Sequence, residues 1–311
     1  MGIIRKLTPL NLQEEKDKFF KDFSYNPQFK YSHKFQKKDL TSWGYPKQNF
    51  VNHAKRMIDL HGPYLNSSTK NISKEDIEKK CSQLFTKLKI ESIPILFSKK
   101  YISRVMIDKK GLYFRLPIRY NATQIKNTLN HEIQTHLLRR INDSKQSWSG
   151  RIKKEPSFRE TEEGLATLHS YIDTKNKILK KTFTGYYTTH LAQQYSFSQI
   201  FAKLIKLGLS PELAWSFTVR RKRGLTDTGN KGGCTKDIIY FEGAVKIWKW
   251  LQNKNNDPKD LYIGRLSLKN IERKRGEANK KELIYPTFFE NISEYRSKIN
   301  KIASKNQFAE I

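Results

Sequence analysis

Two histidines and three glutamates in neighbouring segments are the residues of this sequence best suited to chemistry. Residues 131–136 read His-Glu-Ile-Gln-Thr-His, and the pair Glu162 and Glu163 follows them in the chain. Two imidazole nitrogens and one carboxylate oxygen are a common ligand set for catalytic zinc, with the fourth position left to water. Glu132, which directly follows His131, provides the carboxylate that a hydrolase needs beside that water. The residue types therefore indicate metal-assisted hydrolysis.

The spacing of the two histidines sets a condition on the backbone between them. In the common metalloprotease motif the histidines stand at positions i and i+4, about 40° apart around a helix. His131 and His136 stand five positions apart, which is about 140° on an ideal helix. Both can face one metal only if the helix is locally wider, and a single π turn is the simplest such change. The alternative is a pair of surface or core histidines on an amphipathic helix.

Helical patterns surround both parts of the motif. Asn121 can cap a helix that contains the histidines, and Ser157 or the pair 155–156 can open a helix that contains the glutamates. Gly164 costs the second helix roughly 1 kcal/mol relative to alanine, which is reasonable if the two helices approach closely across a metal. The apolar stripes that we expect to face the core are Ile125, Leu129, Ile133, Leu137 and Leu138 in the first helix, and Phe158, Leu165, Leu168 and Ile172 in the second.

A short sheet is predicted before the histidine helix, and helices dominate after it. The predicted elements are strands at 93–97, 101–107 and 112–118, a hairpin turn at 108–111, a helix that begins at 73–76, and helices at 194–207, 211–223 and 236–253. We predict an α+β protein with an N-terminal lobe at residues 1–72. A catalytic domain with a mostly helical C-terminal half then follows at 73–311.

Composition limits the compartment and the partners. Sixty Lys and Arg against thirty Asp and Glu give a net charge of +30, spread along the chain in short runs. Such a surface suits an acidic polymer as a partner, although a Lys- and Asn-rich composition can also reflect codon usage. There is no run of 18 apolar residues and no secretory leader pattern at the start. Two cysteines provide no disulfide framework. We therefore expect a cytoplasmic protein without a membrane segment.

Several blocks of the chain resemble one known family. Residues 131–139 (HEIQTHLLR), Trp148 and residues 161–166 (TEEGLA) are similar to the tyrosine metallocarboxypeptidases. This family includes the microtubule-associated tyrosine carboxypeptidases and bacterial proteins named for a QEGLA motif. Residues 26–31 and 232–243 resemble two further family blocks, so the resemblance runs from about residue 20 to 250. It implies a zincin-like fold, one zinc ion per chain, and removal of a C-terminal tyrosine from a polypeptide such as α-tubulin.

The resemblance also implies a role for each residue of the motif. His131 and His136 become zinc ligands, and Glu132 becomes the general base. The glutamate directly before the glycine aligns with the family's third ligand, so we choose Glu163. Glu162 is then a carboxylate outside the ligand set or on the surface.

A carboxypeptidase must also bind the terminal carboxylate of its substrate, and an arginine or lysine usually does so. Lys236 lies within the late family-like block and is our first choice, with Arg220 and Arg221 as further candidates. Tyr240, one helical turn after Lys236, and His190 are candidate donors to the oxyanion. The alternatives are a basic run that complements the end of a helix and aromatic residues that pack in the core.

The motif, the charge and the family resemblance together predict a zinc metallocarboxypeptidase that removes a C-terminal tyrosine or other aromatic residue from an acidic tail, such as that of α-tubulin. A zinc endopeptidase or dipeptidyl peptidase is the alternative enzyme, because dipeptidyl peptidases also combine His-Glu-x-x-x-His with Glu-Glu. The alternative from another class is a non-catalytic basic protein that binds microtubules or nucleic acid. The intact Glu132 disfavours it, and no nucleic-acid-binding signature is present.

Overall fold

The fold combines one small sheet with many helices. The structure is a computed structural model that describes residues 7–65, 71–99, 101, 103–108, 110–150 and 156–311. Within these ranges the protein is mostly helical and has a single three-stranded sheet. The predicted α+β class with a small sheet is therefore confirmed.

The chain divides into two compact units, and neither is continuous in sequence. The first consists of Met1–Asn66, Leu179–Phe241 and Ile311, and the second of Ser67–Ile178 and Glu242–Glu310. The histidines and glutamates of the motif all belong to the second unit, whereas Lys236 and the other candidates for substrate binding belong to the first. The division into a lobe at 1–72 and a catalytic domain at 73–311 stays a prediction.

The first unit is helical and has an aromatic core. Phe19, Phe197 and Trp215 lie at its centre, with the ring centroids of Phe19 and Phe197 4.9 Å apart. The serines Ser196 and Ser210 cap two of its helices. Its helices are α1 (Leu12–Lys21), α2 (Lys37–Leu40), α3 (Gln48–His61), α8 (Lys180–Ala192), α9 (Phe197–Lys206), α10 (Pro211–Lys222) and the start of α11 (Ile238–Gln252).

The second unit contains the sheet and the motif helices. Ser73 and Asn121 cap α4 and α5 through capping boxes, as their positions predict. Within the ranges described, no helix is long and apolar enough to cross a bilayer. Before the motif glutamates the elements are α4 (Lys74–Leu88), β1 (Ile95–Ser98), β2 (Val105–Asp108), β3 (Gly111–Arg115), α5 (Ala122–His131), a π-helix (Glu132–Leu137) and α6 (Leu138–Ser144). From there on they are α7 (Pro156–Tyr171), most of α11, α12 (Leu268–Lys274), α13 (Ile292–Lys305) and three 3₁₀ turns (Pro258–Tyr262, Thr287–Phe289 and Phe308–Glu310).

The sheet has the order β1-β3-β2, with β1 parallel and β2 antiparallel to β3. Its strands are shorter than predicted: Pro94 and Pro117 flank β1 and β3, and proline cannot donate to a sheet ladder. Asp108 pairs with Gly111 across the predicted hairpin. Ile102, in the predicted second strand, and Lys109, in the predicted turn, lie outside the described residues.

The two predicted apolar stripes of α5 to α7, and Ile172 just beyond α7, are buried throughout. Gly164 serves a different contact from the one expected. A Cβ on Gly164 would lie 2.2 Å from the carbonyl carbon of Gly243 in α11, so the glycine allows α7 to cross α11. The nearest atoms all belong to Gly243, so the clearance that Gly164 provides is toward α11. α7 also packs against the histidine helix, and a need for glycine at that contact stays a prediction.

Replacing Gly164 with alanine is expected to lower the free energy of unfolding by roughly 3 kcal/mol, as for an overpacked core. The atoms that the new methyl group would meet belong to the backbone of Gly243, and backbone cannot rotate away. Chemical denaturation measures the effect. Gly276→Ala is the matched control, because nothing lies within 4 Å of a Cβ at that position. Equal stability of the two variants would contradict the close crossing.

Candidate metal centre

The backbone between the two histidines is a π-helix. It spans Glu132–Leu137 and follows α5 without a break, so that His131 ends α5 and His136 lies one π turn later. The local widening predicted from the spacing of the histidines is thus confirmed. The imidazole centroids of His131 and His136 are 4.9 Å apart, and the two rings lie on the same side of the helix.

Glu163 of α7 brings a carboxylate to the two imidazoles. Its Oε2 atom lies 3.7 Å from Nε2 of His131 and 3.6 Å from Nε2 of His136. One ligand atom of each residue lies within 4.8 Å of the other two. Zinc bonds of about 2.0–2.1 Å in a tetrahedral site place ligand atoms about 3.4 Å apart. The three donors therefore fit a zinc-sized cation, and they form a possible metal-binding triad.

A serine orients His131. Nδ1 of His131 lies 3.0 Å from Oγ of Ser170, and that hydroxyl donates to the carbonyl of Ala166 at 2.9 Å. Because a hydroxyl has one proton, Ser170 must accept from Nδ1, which places the imidazole proton there. Nε2 of His131 is then the unprotonated nitrogen, and it is the one near Glu163. Such a partner fixes the tautomer that a metal-binding imidazole needs.

Glu162 orients His136 in the same way. Its Oε1 atom lies 3.4 Å from Nδ1 of His136, so the carboxylate favours a proton on Nδ1 and leaves Nε2 to Glu163. Arg265 holds Glu162 with two hydrogen bonds of 3.0 and 2.9 Å. The side chain of Glu162 is 6% exposed, against 16% for Glu163. Glu162 therefore lies on the Nδ1 side of His136, away from the Nε2 atoms, whereas Glu163 faces Nε2 of both imidazoles.

The carboxylates of Glu162 and Glu163 favour a positive charge on the imidazole of His136. Burial alone lowers the pKa of His136, but contacts with Glu162 and Glu163 raise it to about 10. Burial raises the pKa of Glu162, but His136 and Arg265 bring it below its ordinary value. A metal ion bound here would take the place of that imidazolium proton, since metal binding at histidine releases protons.

Ser170 and Arg265 are the site residues that the sequence reasoning missed. Ser170 stands seven positions after Glu163 in one helix, which places both on the same helix face. This spacing alone could have predicted that a serine hydroxyl lies on the same face of the helix as the third ligand candidate. Arg265 lies more than a hundred positions after Glu162, and no local pattern connects the two residues.

The predicted carboxylate-binding arginines share an acidic partner in the first unit. Arg220 donates from Nε and Nη2 to Asp237, and Nη2 of Arg221 lies 2.6 Å from the same carboxylate. Burial lowers the pKa of Arg221 to about 10 although Asp237 acts against it. Burial also lowers the pKa of Arg220, but Asp237 and Tyr240 together raise it above its ordinary value. Arg221 is 4% exposed, so a substrate carboxylate would have to replace Asp237 to reach it.

Lys236 and Tyr240 are neighbours, as their one-turn spacing predicts. Nζ of Lys236 donates to the Tyr240 hydroxyl at 3.1 Å, and Nη2 of Arg220 donates to it at 3.3 Å. His190 is half-buried and stacks on Tyr187, and its burial lowers its pKa. The structure brings Lys236, Tyr240 and Arg220 together, and His190 is not part of this group. Their roles in binding substrate stay predictions.

Comparison with known proteins points to one family. The family model "Microtubule-associated tyrosine carboxypeptidase" matches residues 30–310. "Microtubule-associated tyrosine carboxypeptidase 1" of Mus musculus is 28% identical over 333 residues, with 98% of this chain and 68% of the mouse protein covered. The Homo sapiens protein of that name is 29% identical over 332 residues with the same coverage. "Putative tyrosine carboxypeptidase MATCAP2" of Homo sapiens is 28% identical over 317 residues, with 99% and 53% covered.

Proposed function

We propose that this chain, which belongs to the microtubule-associated tyrosine carboxypeptidase family, is a zinc metallocarboxypeptidase that removes a C-terminal tyrosine or other aromatic residue from an acidic tail. The proposal includes a zincin-like fold, in which β2 packs against the π-helix. The best candidate substrate is α-tubulin, since the names of the relatives mention microtubules and tyrosine. That substrate would place the activity in the cytoplasm.

One observation carries the proposal: three donors of the kind that zinc prefers converge from two helices. His131, His136 and Glu163 bring their ligand atoms within 4.8 Å of one another. The convergence requires the π-helix, which an amphipathic helix with two unrelated histidines would not need. The side chains are 13–21% exposed, so the triad is accessible to a small group.

The residues around the triad would divide the work of peptide hydrolysis. A zinc ion held there would lower the pKa of a bound water and polarise the scissile carbonyl. Glu132, next to His131 in the chain, would accept the proton of the attacking water and return it to the departing amino group. Ser170 and Glu162 would keep the two imidazoles in the tautomer that leaves Nε2 unprotonated.

Two features support an acidic tail that ends in a free carboxylate. The net charge of +30 favours encounter with an acidic polymer. The group of Lys236, Arg220 and Tyr240 combines two cations with a phenol, a set of donors that suits a carboxylate. Lys236 remains our first choice for the residue that binds it.

Incubation with tubulin and with a short neutral peptide ending in tyrosine tests the substrate. We expect mass spectrometry to show loss of one C-terminal residue from each and no cleavage of the amidated peptide, whose terminus is neutral. Activity on the acidic tail should fall steeply between low and moderate salt, because salt reduces the Debye length to about 8 Å at physiological ionic strength. Activity on the neutral peptide should fall little.

Other outcomes would favour the alternatives. Cleavage of the amidated peptide at an internal bond would reject the carboxypeptidase and favour an endopeptidase, and release of dipeptides would favour a dipeptidyl peptidase. Equal salt dependence on the two substrates would remove the charge argument for the partner. Binding to microtubules without any cleavage by zinc-loaded protein would favour the non-catalytic alternative.

A further inference from the structure

A threonine inside the π-helix makes a hydrogen bond that fits only a widened turn. The hydroxyl of Thr135 donates to the carbonyl of Asn130, five positions earlier, at 2.8 Å. In ordinary helices of this chain the same type of bond reaches back four positions, as in Thr218 to Ala214 at 2.8 Å. A step of five positions is the step of a π turn. The Thr135 hydroxyl therefore stabilises the backbone that brings His136 beside His131.

A buried histidine contacts the oxygen of that hydroxyl. Nδ1 of His169 lies 2.8 Å from Oγ1 of Thr135, and Nε2 of His169 lies 3.1 Å from the hydroxyl of Tyr295. Since the single proton of Thr135 is used on Asn130, Nδ1 of His169 must carry the imidazole proton. Nε2 then accepts from Tyr295. The hydroxyl of Thr135, both ring nitrogens of His169 and the hydroxyl of Tyr295 thus form one row of hydrogen bonds, in which each polar atom has a partner.

The surroundings of His169 keep its imidazole neutral. The residue is fully buried, and its ring contacts Phe288 with centroids 4.6 Å apart. Burial lowers the pKa of His169 well below its ordinary value, and the nearby His131 and Arg139 act in the same direction. A neutral imidazole can donate from one nitrogen and accept at the other, as this row of hydrogen bonds requires.

We propose that Thr135, His169 and Tyr295 are positioning residues for the metal centre, which hold the π turn so that His131 and His136 present Nε2 to one cation. The proposal rests on the metal-binding role of the triad proposed above. None of the three residues belongs to that triad. These residues would act on the metal centre through the backbone. Without the extra residue of the π turn, His136 would lie about 100° further around the helix from His131.

The test is zinc affinity, measured by competition with a chromophoric chelator, together with the visible spectrum of cobalt-substituted protein. Thr135→Val keeps the shape of the side chain and removes the hydroxyl. It is expected to weaken zinc binding at least about tenfold, the lower end of the effect of removing partners of metal ligands, and to alter the cobalt spectrum. Thr135→Ser restores the hydroxyl and is expected to remain close to wild type.

Thr218→Val is the matched control, because Thr218 is equally buried and makes the equivalent bond in an ordinary α-helix. It is expected to lower thermal stability as Thr135→Val does, with zinc affinity unchanged. Equal zinc affinity in wild type and Thr135→Val would overturn the proposal. So would equally weakened zinc binding in Thr218→Val, since the loss would then be a general effect of removing a buried hydroxyl.

Tyr295→Phe decides the matter if Thr135→Val does not fold. Without the phenol, Nε2 of His169 loses its donor, so the imidazole is no longer fixed in the orientation in which Nδ1 donates to Thr135. We expect zinc affinity to fall several-fold, and unchanged affinity would overturn the proposal. The wild-type titration separates this inference from the proposed function. A wild-type protein that binds no zinc would reject the metal centre itself, whereas a normal wild-type site with an unaffected variant rejects only the positioning role.

Discussion

Replacing Glu132 with glutamine is expected to reduce turnover by about 10²–10⁴-fold, the usual contribution of a general base. The amide keeps the size of the side chain but cannot accept the proton of the attacking water. Zinc content and thermal unfolding should stay at wild-type values, because Glu132 is not a member of the triad. Initial rates on a peptide ending in tyrosine, measured at saturating zinc, give the effect directly.

Glu162→Gln is the informative comparison for this result. Glu162 contacts Nδ1 of His136 and is paired with Arg265, so its loss should weaken zinc binding more than it slows the zinc-loaded protein. At saturating zinc we expect Glu162→Gln to cost much less turnover than Glu132→Gln. A Glu132→Gln protein that cleaves at the wild-type rate would show that another group is the base.

His136→Ala is expected to remove nearly all zinc from a wild-type protein that carries about one equivalent per chain. The remaining donors, His131 and Glu163, form an incomplete set for a tetrahedral site. Elemental analysis after dialysis against a weak chelator measures the loss. His33→Ala removes an exposed histidine of the first unit and should keep the metal.

Parallel variants at the two glutamates test the choice of the third ligand. Glu163→Gln should lose zinc, and Glu162→Gln should retain it with reduced affinity. Full zinc in His136→Ala would be incompatible with the triad. Lost zinc in Glu162→Gln with retained zinc in Glu163→Gln would exchange the roles of the two residues.

The spacing of His131 and His136 predicts the backbone geometry of the candidate metal centre, which the residue types alone do not. Two ligands five positions apart cannot share a cation on an α-helix, so the requirement for a common metal already implies the π-helix that the structure contains. Local capping signals were equally readable: Ser73 and Asn121 each bond to the backbone three positions later. These features depend only on residues within one or two turns.

Features that depend on distant segments could not be predicted from the sequence. Arg265 reaches Glu162, and Tyr295 reaches His169, each across more than a hundred positions. Gly164 shows the same limit, because the sequence indicates a close helix approach at this residue but not every helix that takes part in it. The glycine does mark a close helix crossing, but its partner is Gly243, and no periodic pattern identifies which helix will return to that place.

The discontinuity of the second unit has a consequence for synthesis on the ribosome. His131, His136 and Glu163 lie on its first segment, whereas Arg265 and Tyr295 lie on the segment that begins at Glu242. At about 5–20 residues per second, the later residues emerge on the order of ten seconds after the ligands. During that interval the nascent chain has both histidines but lacks Arg265 and Tyr295. If the triad binds a metal, we expect it to reach its final geometry only after Arg265 and Tyr295 have emerged from the ribosome.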